Sequence, residues 1–422
     1  MSKYKSELMK TLTGRGFLYQ CTDETALDAL ADKGGLKGYI GFDCTAPSLH
    51  VGSLVQIMML RILQKSGGRP IVLLGGGTTK IGDPSDKDKS RPILTPEKIE
   101  ENKNGIKQVF AKFLDFDGPN AAIMVDNADW LDKLGYIEFL RDIGKHFTIN
   151  KMIALESVKR RLDNEQPMTF LEFNYTLLQS YDYLELYRRH GCRLQLGGSD
   201  QWGNILGGAD LTRRLETAEV YGFTTPLITT ASGGKMGKTA EGARWLNADA
   251  SLGKQFTLSA YDYWQFWRNT EDADVGRFLK LFTDLPLDEI ATLEALEGAD
   301  INQAKIRLAN EATTMLHGAD AARNAEQTAQ KTFEQGGAAE GLPTFEIPAK
   351  TLGDISSLEV GVLSGLCASN GEAKRHIKAG ALKINDAKVT DAGAKLSQSD
   401  VNADGVIKIS VGKKKHALIK PV

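Results

Sequence analysis

Apolar residues recur along this chain with two different periods, and the change of period divides it. Between Gly38 and Leu246, short continuous apolar runs alternate with helical ones. Gly38-Tyr39-Ile40-Gly41-Phe42 has the length of a strand, and Pro47 with Ser48 marks a turn. Leu54, Val55, Ile57, Met58, Leu60, Ile62 and Leu63 then form the wide apolar face of a helix that Gly67-Gly68 ends. Pro70-Ile71-Val72-Leu73-Leu74 is continuous rather than alternating and is bounded by Gly75-Gly76-Gly77, the pattern of a strand covered on both faces. Strand, helix and strand with short connections make a parallel βαβ unit. Ala121 to Val125, Arg193 to Leu196 and Thr225 to Thr229 supply further strands, and residues from about Trp130 to Arg161 read as helices inserted between them. The pattern predicts an α/β domain with a doubly wound parallel sheet.

From Tyr261 to about Glu334 the period is helical throughout. Trp264, Phe266, Trp267, Phe278, Leu279 and Leu281 mark the first part, and an alanine-rich helix follows around Ile306 to Ala329. Gly336 to Ala349, with paired Gly, Ala and two prolines, reads as a linker. A compact terminal module comes after it. The expected division is 1–252, 253–335, a linker at 336–356, and 357–422. A length of 422 residues agrees with two to four domains.

Composition narrows the class. No run approaches the roughly 20 apolar residues of a membrane span, and the polar start Met1-Ser2-Lys3-Tyr4-Lys5-Ser6-Glu7 does not read as a signal peptide. Cys21, Cys44, Cys192 and Cys367 have no paired spacing, which suits reduced thiols in a cytoplasmic protein rather than disulfides or zinc. The six histidines are dispersed, so no metal site is expected. The net charge of -2 excludes a uniformly basic nucleic-acid binder, but its distribution is uneven. From Leu358 onward eleven basic residues stand against six acidic ones, a local excess of +5 where a phosphate backbone could bind.

Several segments carry chemistry. His50 lies at a helix entrance, where unpaired N–H groups and the helix dipole favour phosphate, and Gly52 removes a side chain that would block close approach. Taken alone, this is more often an exposed histidine beside a packing glycine. Lys235 and Lys238 flank Gly237, so the loop could fold over an anion and stabilise developing charge; taken alone, it is a solvated basic loop. Gly237-Lys238-Thr239 ends like a P-loop, but Ser232 stands where that motif needs glycine, so the P-loop is excluded. Ile81-Gly82-Asp83-Pro84-Ser85, with Lys87, Lys89 and Arg91, follows one strand, and Gly197-Gly198-Ser199-Asp200-Gln201 follows another. Both sit at the carboxyl ends of parallel strands, the usual ligand edge of such a sheet, though each could be a plain glycine turn. Tyr175, Gln179 and Asp182 share one helical face at i, i+4, i+7 spacing, a poor core stripe because each polar group would need a partner.

Together, Tyr39 to Asp43, Ser48 to Ser53, Ile81 to Ser85, Tyr175 to Asp182, Gly197 to Asn204 and Lys235 to Thr239 resemble, in order and spacing, the class I aminoacyl-tRNA synthetases of the bacterial tyrosyl type. The resemblance covers essentially the whole chain. It implies a Rossmann-like catalytic domain at 1–252, with inserted helices at about 130–161 pairing two subunits into a homodimer. A helical domain at 253–335 would assist anticodon recognition. It further implies ATP-dependent activation of L-tyrosine to tyrosyl-adenylate, then transfer to the 3' end of tRNA(Tyr). Tyr39 and Asp182 would hydrogen-bond the substrate phenol. Asp83, Tyr175 and Gln179 would hold the α-ammonium group, and Gln201 the carboxyl end. Gly41, Asp43, Gly52, Ser53, Gly198 and Asp200 would form the ATP site. His50, Lys87, Arg91, Lys235 and Lys238 would stabilise the triphosphate and departing pyrophosphate, with Mg2+ carried by ATP.

The stretch Asn370 to Gly380, followed by Ala381-Leu382-Lys383-Ile384-Asn385, resembles the S-four-like α+β RNA-binding domain, with Lys374, Arg375, Lys378 and Lys383 as tRNA contacts. The chain departs from the family at Ser53, which replaces the second histidine of the HIGH signature. Gly237 and Thr239 replace serines of KMSKS, and Ile40 stands where some members carry cysteine. A tryptophanyl relative, an RNA-binding protein on a retired synthetase scaffold and a small-molecule adenylyltransferase are the competing readings. Tyr39, Asp182 and the terminal module favour tyrosine; Asp83, Gln201 and the two lysines favour an enzyme.

Overall fold

The computed structural model describes residues 3–83, 94–234, 236, 238–239, 242–248, 250–334, 342–402, 405–412 and 415–422. The chain forms two compact units, Met1–Leu258 with Glu271–Ala304, and Ser259–Thr270 with Lys305–Val422. This division runs through the expected helical region: the helices Val275–Phe282 and Leu287–Glu294 belong with the sheet.

The first unit is built on six strands: β1 (Gln20–Cys21), β2 (Lys37–Phe42), β3 (Arg69–Leu74), β4 (Ile123–Asp126), β5 (Leu194–Gly198) and β6 (Tyr221–Thr225). Their order is β1-β6-β5-β2-β3-β4. All neighbours from β6 to β4 pair in parallel, and β1 joins β6 antiparallel. The chain runs outward from β2 through β3 to β4, then returns to the other side of β2 for β5 and β6. The order therefore reverses between β2 and β5, and a crevice forms there by topology.

Both faces of the sheet are covered, as the continuous apolar runs imply. Tyr39, Ile71 and Leu73 pack with Tyr183 and Leu186 of the helix Tyr175–His190. On the opposite face a Cβ at Gly38 would lie 2.9 Å from Leu63, so the helix Leu54–Lys65 sits directly on β2. The strand expected at Thr225 to Thr229 lies four residues earlier. Pro226 has no N–H to give the ladder, so pairing stops at Thr225, and the apolar Leu227 and Ile228 line the crevice instead. The antiparallel β1 is absent from the sequence expectation because its two residues show no period. Residues 128–163 form the expected run of short helices.

Two further strands of this unit, β7 (Lys238–Thr239) and β8 (Gly242–Ala243), form a small antiparallel ribbon. In the second unit, Trp264 of the helix Ala260–Arg268 donates its indole N–H to Asn310 at 2.7 Å, and Asn310 donates to Glu326 at 2.9 Å. This ties that helix to Ile301–His317 and Ala319–Glu334. The terminal sheet contains β9 (Thr344–Ile347), β10 (Leu382–Ile384), β11 (Ala387–Lys388), β12 (Ile407–Val411) and β13 (Lys415–Pro421), in the order β11-β10-β12-β13-β9. The helices Ser357–Leu363 and Asn370–Lys378 share its apolar core through Val360, Ala373 and Ile377. Part of the stretch expected as linker is thus β9, a four-residue strand framed by Pro343 and Pro348 that pairs in parallel with β13.

Candidate functional site

A cavity of about 440 Å³ opens where the strand order reverses, at the carboxyl ends of β2, β3, β5 and β6. Tyr39, Gly41, Asp43, His50, Gly52, Ser53, Asp83, Tyr175, Gln179, Asp182, Gly198, Asp200 and Gln201 all line it. Segments as far apart in sequence as Tyr39 and Gln201 thereby meet in one place. Lys87, Arg91 and Lys235 lie outside the described residues. Lys238 belongs to β7 by its backbone, and its side chain is likewise outside them.

One end of the cavity is closed by a buried polar network. Asp182 accepts hydrogen bonds from Asn127 Nδ2 at 3.0 Å and Trp130 Nε1 at 2.8 Å. Asn127 also donates to Thr78 Oγ1 at 3.0 Å, and its carbonyl accepts from Gly77 N–H at 2.8 Å. Thr78 Oγ1 in turn donates to Asp43 at 2.9 Å. Burial pushes the Asp182 carboxyl up to about 7, against the two donors that favour its charged form, and Asp43 and Asp126 add to the rise. Tyr39 is fully buried, and its hydroxyl has no hydrogen-bond partner among the described residues. Burial first, then the Asp182 charge, raises that phenol well above its ordinary range. A buried hydroxyl without a partner beside a buried carboxylate suits a ligand that supplies the missing hydrogen bonds.

A second network covers the neighbouring wall. Gln201 Nε2 donates to Asp83 at 3.0 Å and to Asp200 at 3.1 Å, while its carbonyl accepts from Gln179 at 3.1 Å and Asn204 at 3.2 Å. Asn204 is fixed by Thr176 Oγ1 at 2.9 Å. Asp83 and Asp200 are thus held together by one amide. The side chains sit on four elements, the loop after β3, the helix Tyr175–His190, the 3₁₀ turn Ser199–Gln201 and the start of the helix Trp202–Glu216.

At the other end, His50 has an extended backbone at the entrance to the 3₁₀ turn Val51–Ser53, which leads into the helix Leu54–Lys65. It forms a β-bridge with Trp245, flanked by hydrogen bonds from Val51 N–H to Arg244 O and from Leu246 N–H to Leu49 O, each 2.8 Å. A Cβ at Gly52 would lie 2.8 Å from the Met236 carbonyl and from the His50 ring, so only glycine fits. The helix entrance and the segment carrying Met236 are therefore in direct backbone contact.

Sequence reasoning missed Asn127, Trp130, Thr78 and Asn204. Asn127 had a usable signal, since it directly follows β4 on the ligand edge of the sheet. In the terminal module Lys374, Arg375 and Lys378 are exposed on the helix Asn370–Lys378. Lys383 lies on β10 directly opposite Lys388 of β11. Among the described residues no three His, Cys, Asp or Glu side chains converge as a metal site would require.

Comparison with known proteins places this geometry. The family model for class I tRNA synthetases (W and Y) matches residues 32–334, and the model for the tyrosine–tRNA ligase SYY-like C-terminal domain matches 333–419. The chain is 59% identical over 422 residues to the tyrosine–tRNA ligase of Rhodospirillum rubrum, covering 100% of this chain and 99% of that protein. It is 60% identical to the tyrosine–tRNA ligase of Caulobacter sp. strain K31, again covering 100% and 99%. Among solved structures, a C-terminally truncated mitochondrial tyrosyl-tRNA synthetase from Aspergillus nidulans aligns with a TM-score of 0.69 at 29% identity, over 78% of this chain and 95% of that one. Full-length similarity at this level and a cavity assembled at the sheet's switch point agree, and the chain belongs to the tyrosine–tRNA ligase family of class I tRNA synthetases.

Proposed function

We infer that the protein is a tyrosine–tRNA ligase, which activates L-tyrosine with ATP and transfers it to tRNA(Tyr). The observation that carries this reading is the closed end of the cavity, where the buried Tyr39 hydroxyl and the buried Asp182 carboxylate face one space. A tyrosine phenol would donate to Asp182 and accept from Tyr39. Phenylalanine would leave the buried Tyr39 hydroxyl unpaired, at roughly 1–3 kcal/mol, and would give Asp182 no donor beyond Asn127 and Trp130. The α-ammonium group would sit by Asp83, Tyr175 and Gln179, and Gln201 would orient the carboxylate. Asp43, Gly41, Gly198 and Asp200 would take the ribose, and Gly52 and Ser53 would let the phosphates approach the helix entrance.

The chemistry follows from placement. The tyrosine carboxylate is already ionised at neutral pH, so it attacks the α-phosphorus without a general base. A carboxyl-oxygen–phosphorus bond forms, and the bond to pyrophosphate breaks. Catalysis then rests on orientation and charge stabilisation. His50, Lys87, Arg91, Lys235 and Lys238 are the groups proposed for the departing pyrophosphate. The described residues offer no cluster of three ligands, so Mg2+ would be held chiefly by the triphosphate oxygens and would neutralise part of their charge. The decisive experiment is ATP–pyrophosphate exchange with each of the twenty amino acids. Exchange with tyrosine alone is expected; exchange with tryptophan, or none, overturns the reading.

The terminal module is proposed as an S-four-like RNA-binding domain. Lys383 and Lys388 face each other across β10 and β11, a like-charge pair that an RNA phosphate would neutralise. A homodimer through the inserted helices is supported by exposed Tyr136, Ile137, Ile149 and Ile153 on them, with exposed Phe170 and Leu171 close by in sequence. No described helix is long and apolar enough to cross a membrane, and the cytoplasm is the proposed location.

A further inference from the structure

The exposed stretch that precedes Met236 is held by a buried carboxylate, and neither the substrate cavity nor the core accounts for it. Residues 228–234 and Met236 form a tight ribbon. Thr230 N–H donates to Gly234 O at 2.8 Å, Gly233 N–H to Thr230 O at 2.8 Å, and Met236 N–H to Ile228 O at 3.1 Å. Gly233, at φ +86°, makes the turn. Ala231, Ser232, Gly233 and Gly234 are all exposed. Yet Ala231 N–H reaches Asp274 Oδ2 at 2.7 Å, and Asp274 is 3% exposed.

The same carboxylate accepts from Arg277 Nη2 at 2.6 Å through its other oxygen, and Arg277 also donates to the Thr229 carbonyl. Ser232 Oγ–H donates to Glu271 at 2.6 Å. Asp274 ends the 3₁₀ turn Asp272–Asp274, and Arg277 lies in the first turn of the helix Val275–Phe282. A carboxylate is costly to bury unless hydrogen-bonded and paired, and here both requirements are met by a loop and by the arginine that also grips that loop. The far end of the ribbon is equally constrained. Met236 is buried, lines the substrate cavity, and sets its carbonyl against Gly52. In sequence, Lys235 and Lys238 stand on either side of it.

We propose that Asp274 and Arg277 are positioning residues for ATP: they fix the stem of the ribbon so that Met236 seats on Gly52, at the end of the cavity assigned above to the triphosphate. This rests on the tyrosine–tRNA ligase reading. It assigns work to two residues that do not line the substrate cavity. A clamp that merely held the fold together would affect both substrates alike, whereas a clamp on this ribbon acts at the end of the cavity away from Tyr39 and Asp182.

The test uses the full-length protein, with pyrophosphate exchange at varied ATP and varied tyrosine, tyrosine affinity by equilibrium dialysis, and Tm. Asp274→Ala and Arg277→Ala are expected to lower kcat/KM for ATP by about tenfold to a hundredfold, the range for a lost charge-assisted hydrogen bond. Tyrosine affinity should stay within about twofold. Asp274→Asn and Arg277→Lys each retain part of the clamp and should recover part of the loss. Glu294→Gln breaks the Lys280–Glu294 ion pair on the same helices without touching the ribbon, and should alter Tm without separating the substrates. Unchanged ATP kinetics in both alanine variants, or equal losses for ATP and tyrosine, would overturn the proposal. Should Asp274→Ala fail to fold, Arg277→Ala decides, since that side chain is 43% exposed and the Asp274 carboxylate it leaves behind still accepts the Ala231 N–H. Absence of tyrosine-dependent exchange in the unmodified protein would instead defeat the ligase reading.

Discussion

At Asp182, burial and hydrogen bonding act in opposite directions on one carboxyl group, with a balance near 7. Its folded value lies above the unfolded one, so its contribution to stability is complete below about pH 4 and is lost as pH rises through about 7. Ligand binding runs the other way, because an ionised Asp182 is the better acceptor for a phenol. Tyrosine affinity is therefore expected to fall about tenfold per unit as pH drops below about 7. Asn127→Ala removes a donor to the charged form and should move that midpoint upward in dialysis or calorimetry with L-tyrosine; a midpoint that stays put would contradict the assignment. Tyr175, Gln179 and Asp182 were legible in the sequence because helical spacing puts them on one face. Trp130 was not, since it acts through Asp182 from the four-residue helix Ala128–Leu131, too short to show a period, and Asn127 was marked only by its place after β4.

The inserted segment shows how an element without a long periodic face is held. The helix Glu156–Asp163 is followed by the four-residue helix Phe170–Phe173, capped by Thr169 and Glu172 in a reciprocal capping box. Glu172 also pairs with Arg161 at 2.9 Å, and both are almost fully buried. Burial would raise the Glu172 carboxyl, but Arg161 and the Thr169 N–H and hydroxyl outweigh it and bring it down to about 2. That pair contributes stability above about pH 4.5, and the contribution is lost as pH falls toward about 2. Arg161→Ala leaves a buried carboxylate and should cost about 3–5 kcal/mol in chemical denaturation. A cost below about 1 kcal/mol would mean that water reaches Glu172. The main strands were legible because parallel strands covered on both faces need unbroken apolar runs. The displaced β6 was not, because Thr225 to Thr229 is as apolar as the true strand, and the deciding feature is a missing N–H at Pro226.

For the molecule as a whole, apolar side chains left exposed on the first unit have a stoichiometric consequence. Ile149→Asp with Phe170→Asp is expected to give a particle of 46.1 kDa by light scattering, against twice that for the unmodified protein. A monomer before mutation would remove the pairing proposal. The terminal module calls for a different test, loss of tRNA binding on truncation with tyrosine activation retained, and here the position of the cut decides the outcome. The change of hydrophobic period marked where strands give way to helices, but β9 was not legible, since four residues between two prolines look like connecting chain. Its pairing with β13 means that the module's last strand is covered by a segment preceding the rest of it. A cut at 357 would strip that cover and leave the β13 edge of the excised piece as a template for self-association. It would also strand a sticky four-residue tail on the remainder. A clean excision begins by 342. The solubility of pieces begun at 342 and at 357 would then register a single parallel strand pairing as the difference between a monomeric reagent and an aggregate.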